Sequence, residues 1–261
     1  MTEKIINSKD NEKIKLLRKL QQKKYRRQYG LFLVENLKTI MDALAGKYAF
    51  EMLYVTQEFI NAHEKEFSAV IEKQKASEYF VLPANLFNEL SELDTPAGIC
   101  AVYKIPKQQL DFTENIIYLN AVADPGNLGA ILRSAVAFDF KNIIVDEKCV
   151  DIYNAKTIQA AKNSIFELNI VEDSGRKLLA EAKSKGLKII ATSMTSRAKE
   201  LFGWRAKGKL CLVFGSEARG IDSELIQISD KIIKIKISRK IESLGVSSAV
   251  AIVLYHIYQQ A

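Results

Sequence analysis

The first segment with residue types suited to chemistry is residues 124–129 (DPGNLG), which precede a predicted helix carrying Arg133. Turn residues of these types present backbone amides and the Asn127 side chain at a helix N-terminus, which is a natural site for an anion. Arg133 is the lone charge among small and apolar neighbours on that helix. Such an arginine requires a partner, either a carboxylate of the protein or a phosphate, and the residues alone leave both open.

A second candidate segment is residues 214–221 (FGSEARGI), which follow an apolar run. Gly215 allows a ligand to approach the backbone closely at the end of a strand, and Gly220 permits a turn. Glu217 can accept hydrogen bonds from a substrate or pair with an arginine. A strand followed by a glycine turn is common, so this segment by itself also fits a purely structural role.

The third segment is residues 234–248, which lead into the last helix, predicted over 244–259. Ser243 lies near the start of that helix and is predicted to be either its cap or a functional hydroxyl. The helix is apolar on nearly all sides, which indicates burial on nearly all sides. We therefore expect a sheet to cover one face and a second subunit to cover the other, so that the protein forms a homodimer through its C-terminal domain.

The elements that position these loops alternate between strand and helix patterns, which predicts two α/β domains. In the N-terminal part, strands are predicted at 31–34, 50–55, 79–82 and 98–103, and helices at 9–28, 35–45, 57–75 and 84–93. In the C-terminal part, strands are predicted at 116–122, 142–145, 166–170, 187–192, 209–214 and 231–237, and helices at 128–138, 154–163, 174–185, 222–228 and 244–259. Continuously apolar strands are typical of a parallel sheet covered on both faces. The three segments then follow strand ends, where open α/β sheets bind ligands.

Charge and cysteine content narrow the function further. The net charge is +7, and the first 30 residues alone hold ten basic and three acidic residues. This excess favours a polyanion such as RNA, although a solvated basic helix face is the simpler explanation. Cys100, Cys149 and Cys211 are widely spaced in apolar segments and are predicted to be buried thiols, with no zinc site or disulfide. No dinucleotide or P-loop motif occurs, no membrane span or signal peptide is predicted, and we expect a cytoplasmic protein.

Taken together and in order, the three segments resemble the SpoU/TrmH family of RNA ribose 2′-O-methyltransferases, within the SPOUT class. The first motif is similar to Asn127-x-Gly129-x-x-x-Arg133, the second to residues 212–220 and the third to residues 235–247. Residues 8–103 resemble the family's N-terminal substrate-binding domain through residues 23–26, 32–35 and 94–99. The chain departs from the family pattern at Ala218, Lys236, Ile237, Arg239 and Gly245.

The resemblance implies a domain organisation. Residues 1–103 would be a ribosomal-protein-like α/β domain that binds the RNA substrate, residues 104–115 a linker, and residues 116–261 the methyltransferase domain. The latter would contain a parallel sheet and a C-terminal trefoil knot whose threaded segments form the S-adenosylmethionine pocket. The family also implies an obligate homodimer with the cofactor site near the interface.

The resemblance further implies roles for individual residues. Arg133 would engage an RNA phosphate and help to activate the ribose 2′-hydroxyl, and Asn127, Glu217 and Ser243 would complete the substrate side. The cofactor, S-adenosylmethionine, would be held by four residues, Thr192, Gly215, Ile235 and Leu244. No metal is implied. The predicted substrate is RNA, with ribosomal RNA favoured over transfer RNA. Two alternatives remain, a non-catalytic RNA-binding protein that keeps the knotted fold and a knotted dimer that acts only as a ribosome assembly scaffold.

Overall fold

The computed structural model describes residues 2–74, 78–217, 219–238 and 240–260. The chain divides into two compact units. The first comprises Met1–Pro106 and Asp151–Phe166, and the second comprises Lys107–Val150 and Glu167–Ala261. Both units mix helices and strands, so the predicted α/β class is confirmed. The units differ from the predicted domain ranges in two places: Asp151–Phe166 belongs with the first unit, and the predicted linker 104–115 is divided between the units after Pro106.

The first unit is built on a mixed sheet with the strand order β1-β4-β3-β5-β2. Strands β1, β3 and β4 run parallel to one another, whereas β5 pairs antiparallel with β3 and β2. Its elements, in chain order, are β1 (Thr2–Ile5), α1 (Glu12–Leu20), α2 (Lys23–Tyr29), β2 (Leu31–Val34), α3 (Leu37–Ala45), β3 (Met52–Thr56), α4 (Gln57–Ala62), α5 (Glu64–Lys73), β4 (Glu78–Leu82), α6 (Ala84–Leu90) and β5 (Ile99–Lys104), followed later in the chain by α8 (Ala155–Ala161) and α9 (Ser164–Glu167).

The basic N-terminal segment forms two helices rather than the single helix predicted over 9–28. Gln22, between α1 and α2, has an extended backbone conformation. The carbonyl oxygens of Leu20 and Gln21 accept hydrogen bonds from the Arg26 guanidinium at 2.7 and 2.6 Å. The break therefore leaves these carbonyls satisfied, and Arg26 itself is buried.

Segment Asp151–Phe166 joins the first unit through an ion pair and an aromatic cluster. The Asp151 carboxylate accepts a hydrogen bond from Nε of Arg26 at 3.0 Å. The rings of Tyr153 and Phe166 lie 4.6 and 5.9 Å from the ring of Phe32. These partners are more than 100 residues apart in the sequence, and for that reason the local hydrophobic pattern does not predict them.

The second unit is built on a sheet whose strand pairs are all parallel, with the order β10-β12-β9-β11-β6-β7-β8 in the described residues. The predicted parallel sheet is therefore confirmed. Its elements are β6 (Ile116–Asn120), α7 (Pro125–Ala137), β7 (Asn142–Asp146), β8 (Asn169–Asp173), α10 (Lys177–Ser184), β9 (Lys188–Thr192), β10 (Lys199–Glu200), β11 (Leu210–Gly215), α11 (Ser223–Ile228), β12 (Lys231–Lys234) and α12 (Val246–Tyr258).

Several predicted elements have different bounds in the structure. The helix predicted over 57–75 breaks at His63 into α4 and α5, and residue 75 lies outside the described residues. The strand predicted over 166–170 lies at Asn169–Asp173, because Ser164–Glu167 is helical. Strands β1 and β10 are not predicted, since each is short and lies at a sheet edge.

Two features addressed by the sequence analysis can be examined in the structure: the burial of the three cysteines and the length and polarity of the helices. Cys100, Cys149 and Cys211 are buried free thiols, as predicted. Burial, together with the nearby Asp146 carboxylate, raises the pKa of Cys149 to about 12, which keeps this thiol protonated and unreactive. Within the described ranges, no helix is long and apolar enough to cross a membrane.

Candidate functional site

The first motif lies where β6 passes into α7. Asp124 caps this helix, because its carboxylate accepts a hydrogen bond from the backbone N–H of Asn127 at 2.7 Å, and Pro125 occupies the first turn. The helix therefore begins at Pro125, three residues before the predicted start at 128. The Asn127 side chain is free of the capping role and extends from the first turn.

The second motif forms a tight loop after β11. A Cβ atom added to Gly215 would lie 2.2 Å from the carbonyl carbon and oxygen of Gly220, so only glycine fits at this strand end. Gly220 has a φ of +66° and its N–H donates to the Ser216 carbonyl at 2.8 Å. Ala218 lies outside the described residues. The loop is therefore closed on itself beside the end of β11.

The far end of this loop is fixed to the end of strand β6. The backbone N–H of Asp222 donates to Oδ1 of Asn120 at 2.8 Å. The Asp222 carboxylate accepts hydrogen bonds from Lys148 at 2.9 Å and from Arg176 at 3.0 Å. The hydrogen bond from Lys148, aided by Asn120 and Arg176, lowers the pKa of Asp222, so this anchor stays ionised at neutral pH.

The three predicted motifs meet at the carboxylate of Glu217. Its Oε1 accepts a hydrogen bond from Nδ2 of Asn127 at 3.2 Å and another from the backbone N–H of Val246 at 3.0 Å. Oδ1 of Asn127 in turn accepts a hydrogen bond from the Ser247 hydroxyl at 2.9 Å. Val246 is the first residue of α12, where the positive end of the helix dipole favours a carboxylate. We call these four residues the junction network.

The role predicted for Ser243 as a helix cap is wrong, whereas its proximity to the site holds. The N-cap of α12 is Gly245, which makes no side-chain cap. Ser243 is exposed, lies two residues earlier and lines the cavity described next. Ser247, which sequence reasoning does not single out, supplies the hydroxyl of the junction network. Its position in the first turn of the last helix was the available signal.

A cavity of about 300 Å³ opens at the carboxyl ends of β9, β11 and β12. All four residues predicted to bind the cofactor line it, namely Thr192, Gly215, Ile235 and Leu244. The walls are mostly apolar, and the carboxylates of Glu217 and Glu242 lie among them. We call this space the motif cavity.

Strand β9 lies between β11 and β12 and loses its pairing with β11 beside the motif cavity. Its pairing with β11 ends at Ala191 and Val213, whereas Thr192 still pairs with Ile233 of β12. The Thr192 hydroxyl donates to the Val213 carbonyl at 3.0 Å and so satisfies the carbonyl at this point of divergence. The cavity thus forms where neighbouring strands part, which is a favoured ligand position in α/β sheets.

Arg133 is the one predicted catalytic residue outside both the junction network and the lining of the motif cavity. Its side chain is exposed on α7. Among the described residues the Arg133 side chain has no hydrogen-bond or ion-pair partner. Of the two partners that the sequence left open, a protein carboxylate is therefore not found in these residues. The guanidinium therefore remains available to a ligand.

The departures from the family pattern can be placed on this geometry. Lys236 is exposed and its Nζ lies 3.9 Å from Glu200, away from the motif cavity, whereas Ile237 adds to the cavity's apolar wall. A Cβ on Gly245 would lie 3.0 Å from Oε1 of Glu217, so the glycine makes room for the carboxylate. Arg239 lies outside the described residues.

The basic N-terminal segment presents cations beside aromatic rings in the first unit. Lys19 and Lys24 lie 5.9 and 5.6 Å from the centre of the Tyr25 ring, and that ring stacks on Tyr29 at 6.3 Å. Arg26, counted among the ten basic residues, is buried against Asp151 and is not part of this surface. Lys19, Lys24, Tyr25 and Tyr29 form the surface that we call the basic helix face.

Comparison with known proteins identifies the family. The family model for SpoU rRNA methylases matches residues 114–255, and that for the MRM3-like substrate binding domain matches residues 11–101. The chain is 28% identical to the 23S rRNA (guanosine(2553)-2′-O)-methyltransferase RlmP of Bacillus subtilis, with 97% of this chain and 98% of the relative covered.

Two solved structures share the fold over nearly the whole chain. An RNA 2′-O ribose methyltransferase superposes with a TM-score of 0.81 at 26% identity, covering 98% of this chain and 99% of the other. The SpoU methyltransferase AviRb of Streptomyces viridochromogenes, in complex with AdoMet, superposes with a TM-score of 0.84 at 20% identity, covering 96% and 98%.

The protein belongs to the SpoU rRNA methylase family. Membership confirms the resemblance inferred from the three motifs. It also confirms the predicted class of activity, S-adenosylmethionine-dependent methyl transfer to the ribose of RNA.

The residues of the motif cavity fit this cofactor chemically. Its apolar walls suit the adenine ring and the methylene chain, and the two carboxylates suit ribose hydroxyls and a positively charged sulfur. The loop closed by Gly215 brings backbone rather than side chains to the cavity wall.

Proposed function

We propose that this protein methylates a ribose 2′-hydroxyl of ribosomal RNA, with the cofactor in the motif cavity and the acceptor ribose beside the junction network. The single observation that carries the proposal is the carboxylate of Glu217. It lines the motif cavity and also bonds the first and third motifs through Asn127 and Val246. The Glu217 carboxylate thereby joins residues of all three motifs at one point.

When bound, S-adenosylmethionine supplies a methyl group activated by a positively charged sulfur. The chain's task is to place an oxygen in line with that methyl group and to make it nucleophilic. A ribose hydroxyl is too weakly acidic to react unaided, so a nearby cation must stabilise the developing negative charge. We assign this task, together with binding of the adjacent phosphate, to the unpaired guanidinium of Arg133.

The junction network then acts as a positioning device for the acceptor ribose. Asn127 is held from both ends, by Glu217 at its amide nitrogen and by Ser247 at its amide oxygen. A side chain held in this way costs little reorganisation when substrate arrives. We assign Ser243, exposed at the rim of the motif cavity, to contact with the substrate ribose. Thr192, Ile235 and Leu244, with the backbone at Gly215, would hold the cofactor.

The first unit supplies RNA affinity through the basic helix face. Cations interleaved with tyrosine rings suit both phosphates and bases. This assignment agrees with the substrate-binding domain matched at residues 11–101. It also agrees with the relative RlmP, whose name specifies 23S ribosomal RNA. We place the reaction in the cytoplasm, where bacterial ribosomes are assembled.

We further propose a homodimer through α12 and a trefoil knot in the second unit. Ile252, Tyr255 and Tyr258 are each at least 40% exposed on a mostly apolar helix, which favours a second subunit as their cover. For the knot, β12 lies beyond β9 at one side of the sheet, yet α12 returns to pack on α7 and β11. Such a return across the preceding chain is what a threaded topology requires.

The proposal is tested by cofactor binding and by mapping of the product. We expect one S-adenosylmethionine site per subunit of a dimer by calorimetry. We also expect a single 2′-O-methylated nucleotide in ribosomal RNA, recognised by its resistance to alkaline cleavage. A protein that binds RNA but neither binds the cofactor nor transfers a methyl group would instead support the non-catalytic alternative.

A further inference from the structure

The second unit contains another cavity that the proposed reaction does not use. It lies beside β10 and the first residues of β9, β11 and β12, has a volume of about 840 Å³ and shares no lining residue with the motif cavity. We call it the edge groove.

The edge groove carries an excess of unpaired positive charge. Five basic side chains line it: Lys188, Lys199, Arg205, Lys207 and Lys231. None of them has an ion-pair or hydrogen-bond partner among the described residues. The two acids of the lining lie near cations outside it, since Glu200 is 3.9 Å from Lys236 and Asp230 is 3.7 Å from Lys183. With five basic and two acidic side chains, the lining carries a net positive charge that attracts an anion.

One aromatic ring stands out from the wall of the edge groove. Phe202 is 93% exposed, whereas Leu201 and Trp204 on either side of it are buried. The Trp204 N–H donates to the Leu201 carbonyl at 3.0 Å, and Gly203 has a φ of +86°, which is the pattern of a type II turn. Phe202 therefore occupies the corner of a turn whose conformation directs it away from the core.

The turn is fixed to the end of α12. The Trp204 carbonyl accepts hydrogen bonds from Nε2 of His256 at 2.9 Å and from Gln260 at 3.3 Å. Oε1 of Gln260 accepts the Ala206 N–H at 2.9 Å. The Phe202 ring, held outward by a hydrogen-bonded turn, makes no contribution to the folded core and is accessible to a ligand.

We propose that the edge groove binds a single-stranded segment of the RNA substrate, with one base stacked on Phe202 and neighbouring phosphates on the five cations. An exposed ring beside a track of unpaired lysine and arginine side chains is the combination that single-stranded nucleic acids require. An acidic protein could pair with the cations, but it would not require the exposed aromatic ring of Phe202 as a stacking surface. The inference rests on the proposed function only in taking RNA as the substrate.

The stacking contact is tested with Phe202→Leu and Phe202→Tyr. Leucine keeps the apolar surface but loses the ring, and tyrosine keeps the ring. Binding of a fluorescently labelled single-stranded oligoribonucleotide is measured by anisotropy. Phe202→Leu is expected to weaken binding at least roughly 5-fold, in the range found for loss of one base stack, and Phe202→Tyr to restore it. Equal affinities for wild type and Phe202→Leu would overturn the proposal and leave the ring to a protein partner.

The phosphate contacts are tested with matched charge changes. Lys199→Gln/Lys207→Gln removes two charges from the edge groove, and Lys141→Gln/Lys177→Gln removes two exposed charges beside β7 and β8, at the opposite side of the sheet. Only the first pair is expected to flatten the slope of log affinity against log salt, by about 1.4 for two phosphate contacts. Equal effects of the two pairs would overturn the proposal.

Methyl transfer, followed in the same preparations, separates this inference from the proposed function. If the wild type transfers methyl groups and Phe202→Leu does not weaken RNA binding, the edge-groove proposal is rejected and the proposed function stands. Binding that depends on Phe202, in a protein that transfers no methyl group, would support the groove and reject the enzyme.

Discussion

Replacing Glu217 tests whether the junction network holds the three motifs together. Glu217→Ala removes the acceptor of two hydrogen bonds, at 3.0 Å to Val246 and at 3.2 Å to Asn127. The Val246 residue is buried, so its N–H would lose a partner that water replaces only in part. Because Glu217 itself is exposed, we count each of the two hydrogen bonds at about 1 kcal/mol, the typical net contribution of a hydrogen bond. We expect the free energy of unfolding to fall by about 2 kcal/mol.

Glu217→Gln is the matched control, since an amide oxygen can accept both hydrogen bonds but carries no charge. We expect Glu217→Gln to lower the free energy of unfolding by about 0.5–1 kcal/mol, because the carboxylate charge at the helix N-terminus is lost. In scanning calorimetry of the full chain, the alanine variant should melt about 4–8 °C below wild type. Methyl transfer should fall roughly 100-fold in the same variant, because Asn127 is no longer held in position.

Two results would refute this reasoning. A Glu217→Ala protein that unfolds within about 0.5 kcal/mol of wild type would mean that the two hydrogen bonds contribute nothing net. Equal losses in the alanine and glutamine variants would mean that charge alone matters and that the network does not join the motifs.

Three further substitutions, one of them with a matched control, test other parts of the molecule. Gly215→Ala would place a Cβ 2.2 Å from backbone atoms across the loop, so we expect loss of cofactor binding by calorimetry; unchanged affinity would contradict the close approach. Arg26→Met removes the buried partner of the mostly buried Asp151 carboxylate and should lower the free energy of unfolding by about 3–5 kcal/mol in urea. Arg18→Met, at an exposed pair, should cost less than about 1 kcal/mol, and similar losses in the two variants would contradict a strong Arg26–Asp151 pair. Burial raises the pKa of Glu35, so its ionisation destabilises the fold as pH rises. The stability of Glu35→Gln relative to wild type should therefore increase between pH 4 and pH 8, and a difference independent of pH would be inconsistent with this cause.

The parallel sheet of the second unit was predictable because its strands are continuously apolar. β6, β7 and β11 are buried almost throughout and therefore show no alternation, as strands covered on both faces should not. The same logic placed three loops at strand ends. It fails for short edge strands such as β10, where two exposed residues carry no hydrophobic pattern.

The assembly of the candidate site was predictable only in part. The motifs named the residues that line the motif cavity, yet no local pattern indicates that Glu217 bonds Asn127 and the start of α12. Ser243 and Ser247 both lie near the start of the last helix in the sequence, and only the backbone decides which hydroxyl reaches the amide oxygen of Asn127. The position of Asp151–Phe166 could not be predicted from local sequence patterns, because its contacts with Arg26 and Phe32 are with residues more than 100 positions away.

Arg133 carries the proposed chemical step, and its side chain has no partner among the described residues. The most direct measurement is transfer of labelled methyl groups from S-adenosylmethionine to ribosomal RNA by wild type and Arg133→Ala, with melting temperature and cofactor affinity as controls. We predict a loss of at least roughly 100-fold in transfer, the scale for removing one charge-stabilising donor, with both controls unchanged. Near-wild-type transfer by Arg133→Ala would contradict the central claim.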